Sequence, residues 1–186
     1  PTITGSHAPN GSFSGSTIIN DLGNGTAQIS TAIAGTYNVT YQYTDASGCT
    51  NSETKTVTIR ATPSASLSDD AGGSICDGEQ ISFSASGGNL YRFYVNNVLK
   101  KSSASGSYST TALNDNDVVS VTVVDVYGCS STAQQTVTVN PLPGITFNAI
   151  DDICVNASPR LLDEATPTGG TYSGQGVASG DFNPAI

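Results

Sequence analysis

The 186-residue sequence holds no methionine, no tryptophan and a single histidine, and it sets only 6 lysines and arginines against 15 aspartates and glutamates. Each scarcity closes off a class of function. A formal charge of −9 with so few cations cannot neutralise the phosphates of a nucleic acid, and it offers no basic patch to an anionic lipid surface. No apolar run approaches the roughly 18 residues of a membrane-spanning helix, so no membrane insertion is expected. A Ser-His-Asp or Cys-His device would have to use His7. That residue lies in a Gly/Ser/Pro segment with no nearby carboxylate and no Gly-X-Ser-X-Gly elbow. The four cysteines form no Cys-X-X-Cys pair, which leaves zinc without a site. The sequence reads as a non-enzyme with no required cofactor.

Helical periodicity is missing as well, and period two takes its place. Gly35–Tyr43 (GTYNVTYQY) alternates apolar and polar residues, the pattern of a half-buried strand. The same alternation recurs at 56–59, 81–85, 91–95, 119–123 and 136–139, in runs rich in Thr, Val, Ile, Tyr and Phe. Clusters of turn formers separate the runs, among them Asn24-Gly25, Gly72-Gly73, Asn114–Asp117 and Gly169-Gly170. The fold class expected is all-β.

Internal repeats set the organisation. Asp45-Ala-Ser-Gly48-Cys49 reappears as Asp125-Val-Tyr-Gly128-Cys129 at an offset of 80, and the same offset carries Thr56-Val57-Thr58 onto Thr136-Val137-Thr138. Asp151-Asp152-Ile153-Cys154 echoes Asp69-Asp70 and Ile75-Cys76, with the cysteines 78 apart. Gly170-Thr-Tyr172-Ser-Gly174 echoes Gly11-Ser-Phe13-Ser-Gly15 at 159. These spacings predict tandem immunoglobulin-like β-sandwich modules with a period of about 80 residues. The expected boundaries are 1–60 (a module lacking its N-terminal part), 61–140 (complete) and 141–186 (the start of a third). Pro63 and Pro141-Leu142-Pro143 mark stiff linkers. In the complete module seven strands are expected, near 62–67, 80–86, 90–96, 97–102, 107–112, 117–126 and 132–139.

The repeat register pairs Cys76 with Cys129 and leaves Cys49 and Cys154 unpaired, their partners falling outside the 186 residues, as in a piece of a longer array. Such a loop closure would add about 4 kcal/mol by the chain-entropy model. It would also place the protein in an oxidising, extracellular or cell-surface setting. The alternative is four free thiols.

Several segments together resemble a known family: GTYNVTYQYTDASGCTN at 35–51, ISFSASGG at 81–88, TVTVNPLP at 136–143 and GGTYSGQGV at 169–177. They resemble the Ig-like/PKD-like repeats of very large surface proteins of Bacteroidota, closest to the gliding-motility adhesins of the SprB type exported by the type 9 secretion system. The Trp-Asp-Phe-Gly-Asp-Gly signature of true PKD domains is absent. The resemblance implies a filament of tandem sandwiches on the cell surface, used for attachment or gliding. Its partners would be neighbouring repeats of the same chain, surface glycans or a substratum.

The remaining polar motifs each have a modest reading. Asp69-Asp70, Asp151-Asp152, Asp163-Glu164 and Asp115/Asp117 suit hard cations, and calcium at the module linkers is the metal expected if any. The Asp115 segment departs from an EF-hand loop, with Ser120 at the sixth position and Val126 at the twelfth. Asp45 and Asp125 are read as Asx-turn residues. Lys55 falls on the inward parity of its strand and raises the possibility of a cross-link to Asn, although its repeat counterpart is Gln135. Tyr37, Tyr41, Tyr43, Tyr91 and Phe93 are read as core-facing rather than as a carbohydrate platform. Asn10, Asn24, Asn38 and Asn156 begin N-glycosylation acceptor triplets of the kind a Thr/Asn-rich sequence produces by chance. The leading expectation is a structural segment of a surface adhesin. The rivals are a carbohydrate- or protein-binding Ig-like module and spacer domains of a secreted enzyme.

Overall fold

The computed structural model describes residues 1–6, 10–30 and 33–186. His7 lies outside them. Every regular element among the described residues is a β-strand, and the strands fall into three groups whose ladders do not cross from one group to the next.

The first group contains β1 (Thr2–Thr4), β2 (Gly11–Gly15), β3 (Ile19–Asp21), β4 (Thr26–Ile29), β5 (Gly35–Thr44) and β6 (Thr50–Ile59), in two sheets ordered β1-β4-β3 and β2-β5-β6. The long β5–β6 hairpin keeps an unbroken register from Gly35 opposite Ile59 to Thr44 opposite Thr50. Its outward face is zipped by threonine hydroxyls. Thr40 and Thr54 stand 2.8 Å apart, Thr44 and Thr50 2.9 Å, and Thr36 and Thr58 3.4 Å. β-Branched residues at directly opposed positions are the natural way to stabilise a ribbon with few charges.

The central group contains β7 (Ser66–Asp69), β8 (Ser74–Cys76), β9 (Ile81–Ser86), β10 (Leu90–Val95), β11 (Val98–Ser103), β12 (Ser107–Thr110), β13 (Val118–Val124), β14 (Ser130–Thr136) and β15 (Thr138–Asn140). One sheet runs β12-β9-β7 and the facing sheet β11-β10-β13-β14, while β15 pairs with β8 in parallel. Alternation places Ile81 and Phe83, then Tyr91, Phe93 and Val95, then Val119, Val121 and Val123 on the inner faces, and together with Ile75, Leu113, Val137 and Val139 they form one core. Tyr108 stacks between Phe83 and Phe93, with centroid distances of 6.1 and 5.6 Å. Burying a side chain of this size contributes about 1.5–3 kcal/mol, and the cluster explains why a short, polar sequence holds a sandwich here.

Three details differ from the sequence expectation. The first strand of the central unit, expected near 62–67, runs Ser66–Asp69. The strand β8 was not expected, because three residues between Gly73 and Asp77 carry no alternation. The single strand expected at 132–139 is two: at Val137 the chain leaves β13 for β8, and the Val137 N–H donates to the Asp117 carbonyl at 2.9 Å.

The third group contains β16 (Thr146–Phe147), β17 (Arg160–Leu161), β18 (Ala165–Thr166), β19 (Val177–Ala178) and β20 (Asp181–Phe182), in sheets β16-β18 and β17-β20-β19. The order β17-β20-β19 repeats β1-β4-β3 of the first group. Each of these strands has only two residues.

Candidate functional site

The Asp-X-X-Gly-Cys repeat builds the same turn twice. In each, the aspartate N–H donates to the cysteine carbonyl at 2.9 Å, closing a five-residue connection between β5 and β6 and between β13 and β14. One Asp45 carboxylate oxygen accepts from the Ser47 and Cys49 N–H groups, and Asp125 accepts from Tyr127 and Cys129, at 2.8–2.9 Å. Gly48 and Gly128 sit at φ +83° and +85°, a left-handed conformation that a side chain would strain. These are the Asx-type turns expected, with the carboxylates already occupied by backbone donors.

The turns locate the cysteines, and the location corrects one expectation. Cys129 closes the turn before β14, whereas Cys76 ends β8 opposite Asn140 on β15. The chain from Cys129 to Asn140 runs along one edge of the sandwich, roughly 30–36 Å at the rise of an extended strand. A disulfide needs Cα atoms within about 7 Å. Cys76 and Cys129 therefore occupy opposite ends of the unit, and no disulfide joins any of Cys49, Cys76, Cys129 and Cys154 in this structure. The sequence places both cysteines next to strand ends, but it does not say which ends lie together.

The Asp125 turn also meets the preceding group. The Arg60 guanidinium, just after β6, lies over the Tyr127 ring, 3.3 Å from its centroid. Its counterpart in the first turn is Ser47, so repeat register alone could not reveal the contact. At the opposite end of the central unit, Asp117 is buried at 7% exposure. Its carboxylate accepts from the Asn96 side-chain amide at 2.7 Å and from the Asn114 N–H at 2.9 Å. The Asn114 N–H above all, helped by Asn96, holds the Asp117 carboxyl below its ordinary range against the upward push of burial. Asn96 in turn accepts from the Val118 N–H at 3.0 Å, so one pair of side chains ties the β10–β11 turn to the start of β13. Asp69 is an analogous knot. Burial pushes its carboxyl up, but donors from Gly73, Gln135 and Ala71 outweigh that and leave it lowered.

The other singled-out residues fall as follows. Asp70 accepts from the Ser82 N–H at 2.9 Å, and Asp115 from the Val139 N–H at 3.1 Å. Glu164 is paired with Arg160, Asp163 has its N–H on the Glu164 carboxylate at 3.0 Å, and Asp151 and Asp152 are exposed. Among the described residues no three His, Cys, Asp or Glu side chains gather as metal ligands. Lys55 is exposed and ion-paired to Glu53 at 3.2 Å, whereas its counterpart Gln135 donates to Asp69 at 2.7 Å. Tyr91 and Phe93 are core residues. Tyr37, Tyr41 and Tyr43 are half-buried on the inner face of β5, where Tyr41 packs on Phe13 at 4.8 Å. The hydroxyl ladders were legible in principle: the threonines of β5 and β6 are symmetric about the Asp45 turn.

Facing sheets, a shared aromatic core and Asx-closed hairpins define an all-β, immunoglobulin-like sandwich. Residues 63–141 match the family model described as "Ig-like domain CHU_C associated", which covers the central group of strands from end to end. Among solved structures the chain is similar to fibronectin(III)-like modules of Clostridium thermocellum CbhA, at 16% identity over 72% of this chain and 79% of that one, with a TM-score of 0.43. It is similar also to the amphioxus IgVJ-C2 molecule, at 10% identity over 74% and 95%, with a TM-score of 0.35. Comparison with curated proteins gives no match.

Proposed function

We propose that this chain is a structural repeat segment of an extracellular cell-surface adhesin, a stalk of tandem Ig-like modules of the SprB type serving attachment or gliding. The observation that carries this reading is the polarity of the central unit. Its chain enters beside the Asp125 turn, where the Ala65 N–H donates to Ser131, and leaves by β15 beside Cys76 at the other end. Entry and exit at opposite ends suit units strung in line. Short connectors containing Pro63 and Pro141-Leu142-Pro143 favour a semi-rigid rod. The acidic, hydroxyl-rich exterior keeps such a rod soluble. Its partners are the neighbouring units, with glycans or a substratum engaged by the assembled filament.

Two measurements test this. Small-angle scattering should give a radius of gyration well above the ~16 Å of one compact domain of this length. An antibody raised against 63–141 should label intact source cells and impair their attachment. Labelling that appears only after permeabilisation rejects the surface assignment.

A further inference from the structure

The sheet β11-β10-β13-β14 of the central unit carries charge opposite in sign to the rest of the chain. Its four strands hold Arg92, Lys100 and Lys101, three of the six lysines and arginines, and none of the 15 acidic residues. Lys101 is committed, since its Nζ donates to the Ser107 carbonyl at 2.7 Å. Arg92 is not. Lys55 and Arg160 have carboxylate partners and Arg60 has the Tyr127 ring, whereas the Arg92 guanidinium has no ion pair, hydrogen bond or ring contact among the described residues. Parity puts Arg92 and Tyr94 on the outer face, because Phe93 between them is fully buried. Register extends that face: Tyr94 stands opposite Leu99 on one side and Ser120 on the other, and Ser120 opposite Gln134. The pairing of β10 with β11 slips between Phe93 and Tyr94, which leaves Lys100 unopposed and exposed. The Tyr94 hydroxyl and the Gln134 amide also lack hydrogen-bond partners among the described residues.

The first group shows the same face without these groups. Ser12, Phe13 and Ser14 of β2 stand opposite Gln42, Tyr41 and Thr40, as Arg92, Phe93 and Tyr94 of β10 stand opposite Thr122, Val121 and Ser120. Each position is offset by 80, so the two ladders share one register. The inward phenylalanine is kept, while the outward serines become Arg92 and Tyr94. Thr54 becomes Gln134, and the 2.8 Å hydroxyl bond between Thr40 and Thr54 has no counterpart between Ser120 and Gln134. Serine suffices for the ladder. Arg92 and Tyr94 add polar groups that the sandwich itself does not use.

We propose that this outer face binds a saccharide bearing a carboxylate, of the uronic-acid type. The Arg92 fork grips the carboxylate through two parallel N–H bonds. Tyr94 and Leu99 meet the apolar face of the sugar ring, and the Gln134 amide reaches its hydroxyls. From β10 to β14 the face spans about 10 Å, room for one or two rings. An extended peptide fits less well, because it gains its backbone bonds at a sheet edge and this face offers side chains alone. A polyanion or a second copy would bring two strongly negative bodies together, whereas a single carboxylate meets Arg92 and Lys100 without that repulsion. All four strands lie inside residues 63–141, so the face is whole. The choice of a saccharide rests on the extracellular reading above; the charge and openness of the face do not.

The test titrates methyl β-D-glucuronide into the isotope-labelled 186-residue chain and follows its amide resonances. Saturable shifts confined to β10, β11, β13 and β14 are expected, with a Kd of about 1 mM. Methyl β-D-glucoside, which lacks the carboxylate, should bind about tenfold more weakly, as should the glucuronide to Arg92→Gln. Tyr94→Ser and Gln134→Thr, which restore the residues of the first group, should each weaken it about threefold. These positions face outward, and each variant should keep the native amide spectrum; one that does not is replaced by Arg92→Lys, which keeps the charge, loses the fork and should bind between wild type and Arg92→Gln. Absence of saturable shifts, equal binding of the glucoside or of acetate, or indifference to the substitutions overturns the proposal. So does tighter binding of an Asp/Glu-rich peptide to the same face, which would assign it to a protein partner. The titration uses purified chain, so its failure leaves the antibody labelling of cells to decide the surface reading separately.

Discussion

Phe93 and Phe147 both lie on β-strands of Ig-type sequence, yet Phe93 is fully buried and Phe147 is 60% exposed. The difference belongs to their surroundings. Around Phe93, β10 is flanked by β11 and β13 and faced by a second sheet, so every inward residue finds a partner. Around Phe147, β16 pairs only with β18, over two residues, and Tyr172 touches it at 5.9 Å from a segment without regular structure. The same lesson holds for one motif in two places. Gly-X-aromatic-Ser-Gly is a five-residue strand where β5 lies beside it and an irregular segment where no described strand pairs with it. Local propensity proposes a strand, and a partner decides whether it forms.

That contrast can be put under strain by substitution, beginning with the largest effect. Phe93→Ala should cost about 3–5 kcal/mol and unfold the central unit at much lower urea, while Phe147→Ala should stay within about 0.5 kcal/mol. Equal losses at the two sites would erase the distinction between a closed and an open unit. Next comes Asp117→Ala, expected to cost about 1–3 kcal/mol because Asn96 and the Asn114 N–H lose a buried acceptor. Since the Asp117 carboxyl titrates below its unfolded value, its stabilisation is complete above about pH 4 and is lost as the pH falls through the lowered value. The urea midpoint of the wild type should therefore drop on acidification, and Asp117→Asn should blunt that drop. An unchanged acid limb in Asp117→Asn would remove this residue from the account.

Smaller effects probe the joints and ladders. Arg60→Ala should cost about 0.5–1 kcal/mol in a double-mutant cycle with Tyr127→Ala. A coupling of zero would mean that the first unit does not lean on the Asp125 turn. Thr40→Ala should cost about 0.2–1 kcal/mol through the lost Thr54 hydroxyl partner, measured by the exchange rates of β5–β6 amides.

Much of this architecture is legible in the residues. Alternation places the inward side chains of β5, β9, β10 and β13, and the Asp-X-X-Gly-Cys repeat announces two turns of one kind. Tyr91 and Phe93 read correctly as core for the same reason. Contacts made across the sandwich are harder to read. The Cys76–Cys129 pairing failed because register gives a residue its place along a strand but not the end of the sandwich to which that strand delivers it. The parallel β8–β15 pair escaped because three residues are too few to show a period. Arg60 over Tyr127 escaped because repeats report what modules share, and this contact depends on a residue they do not.

The parallel pairing of β15 with β8 has a mechanical consequence. The chain leaves the central unit on β15, along which Thr138, Val139 and Asn140 face Ser74, Ile75 and Cys76, reinforced by the Asp77 N–H on the Asn140 carbonyl at 2.9 Å. Tension applied through the two ends of the unit pulls β15 lengthwise past a neighbour running the same way. The bonds are then loaded together in shear instead of peeling open one after another. Rupture under such a load follows the unfolding rate rather than the equilibrium stability. Three short rungs can thus act as a clamp that sets how long the unit resists a pull.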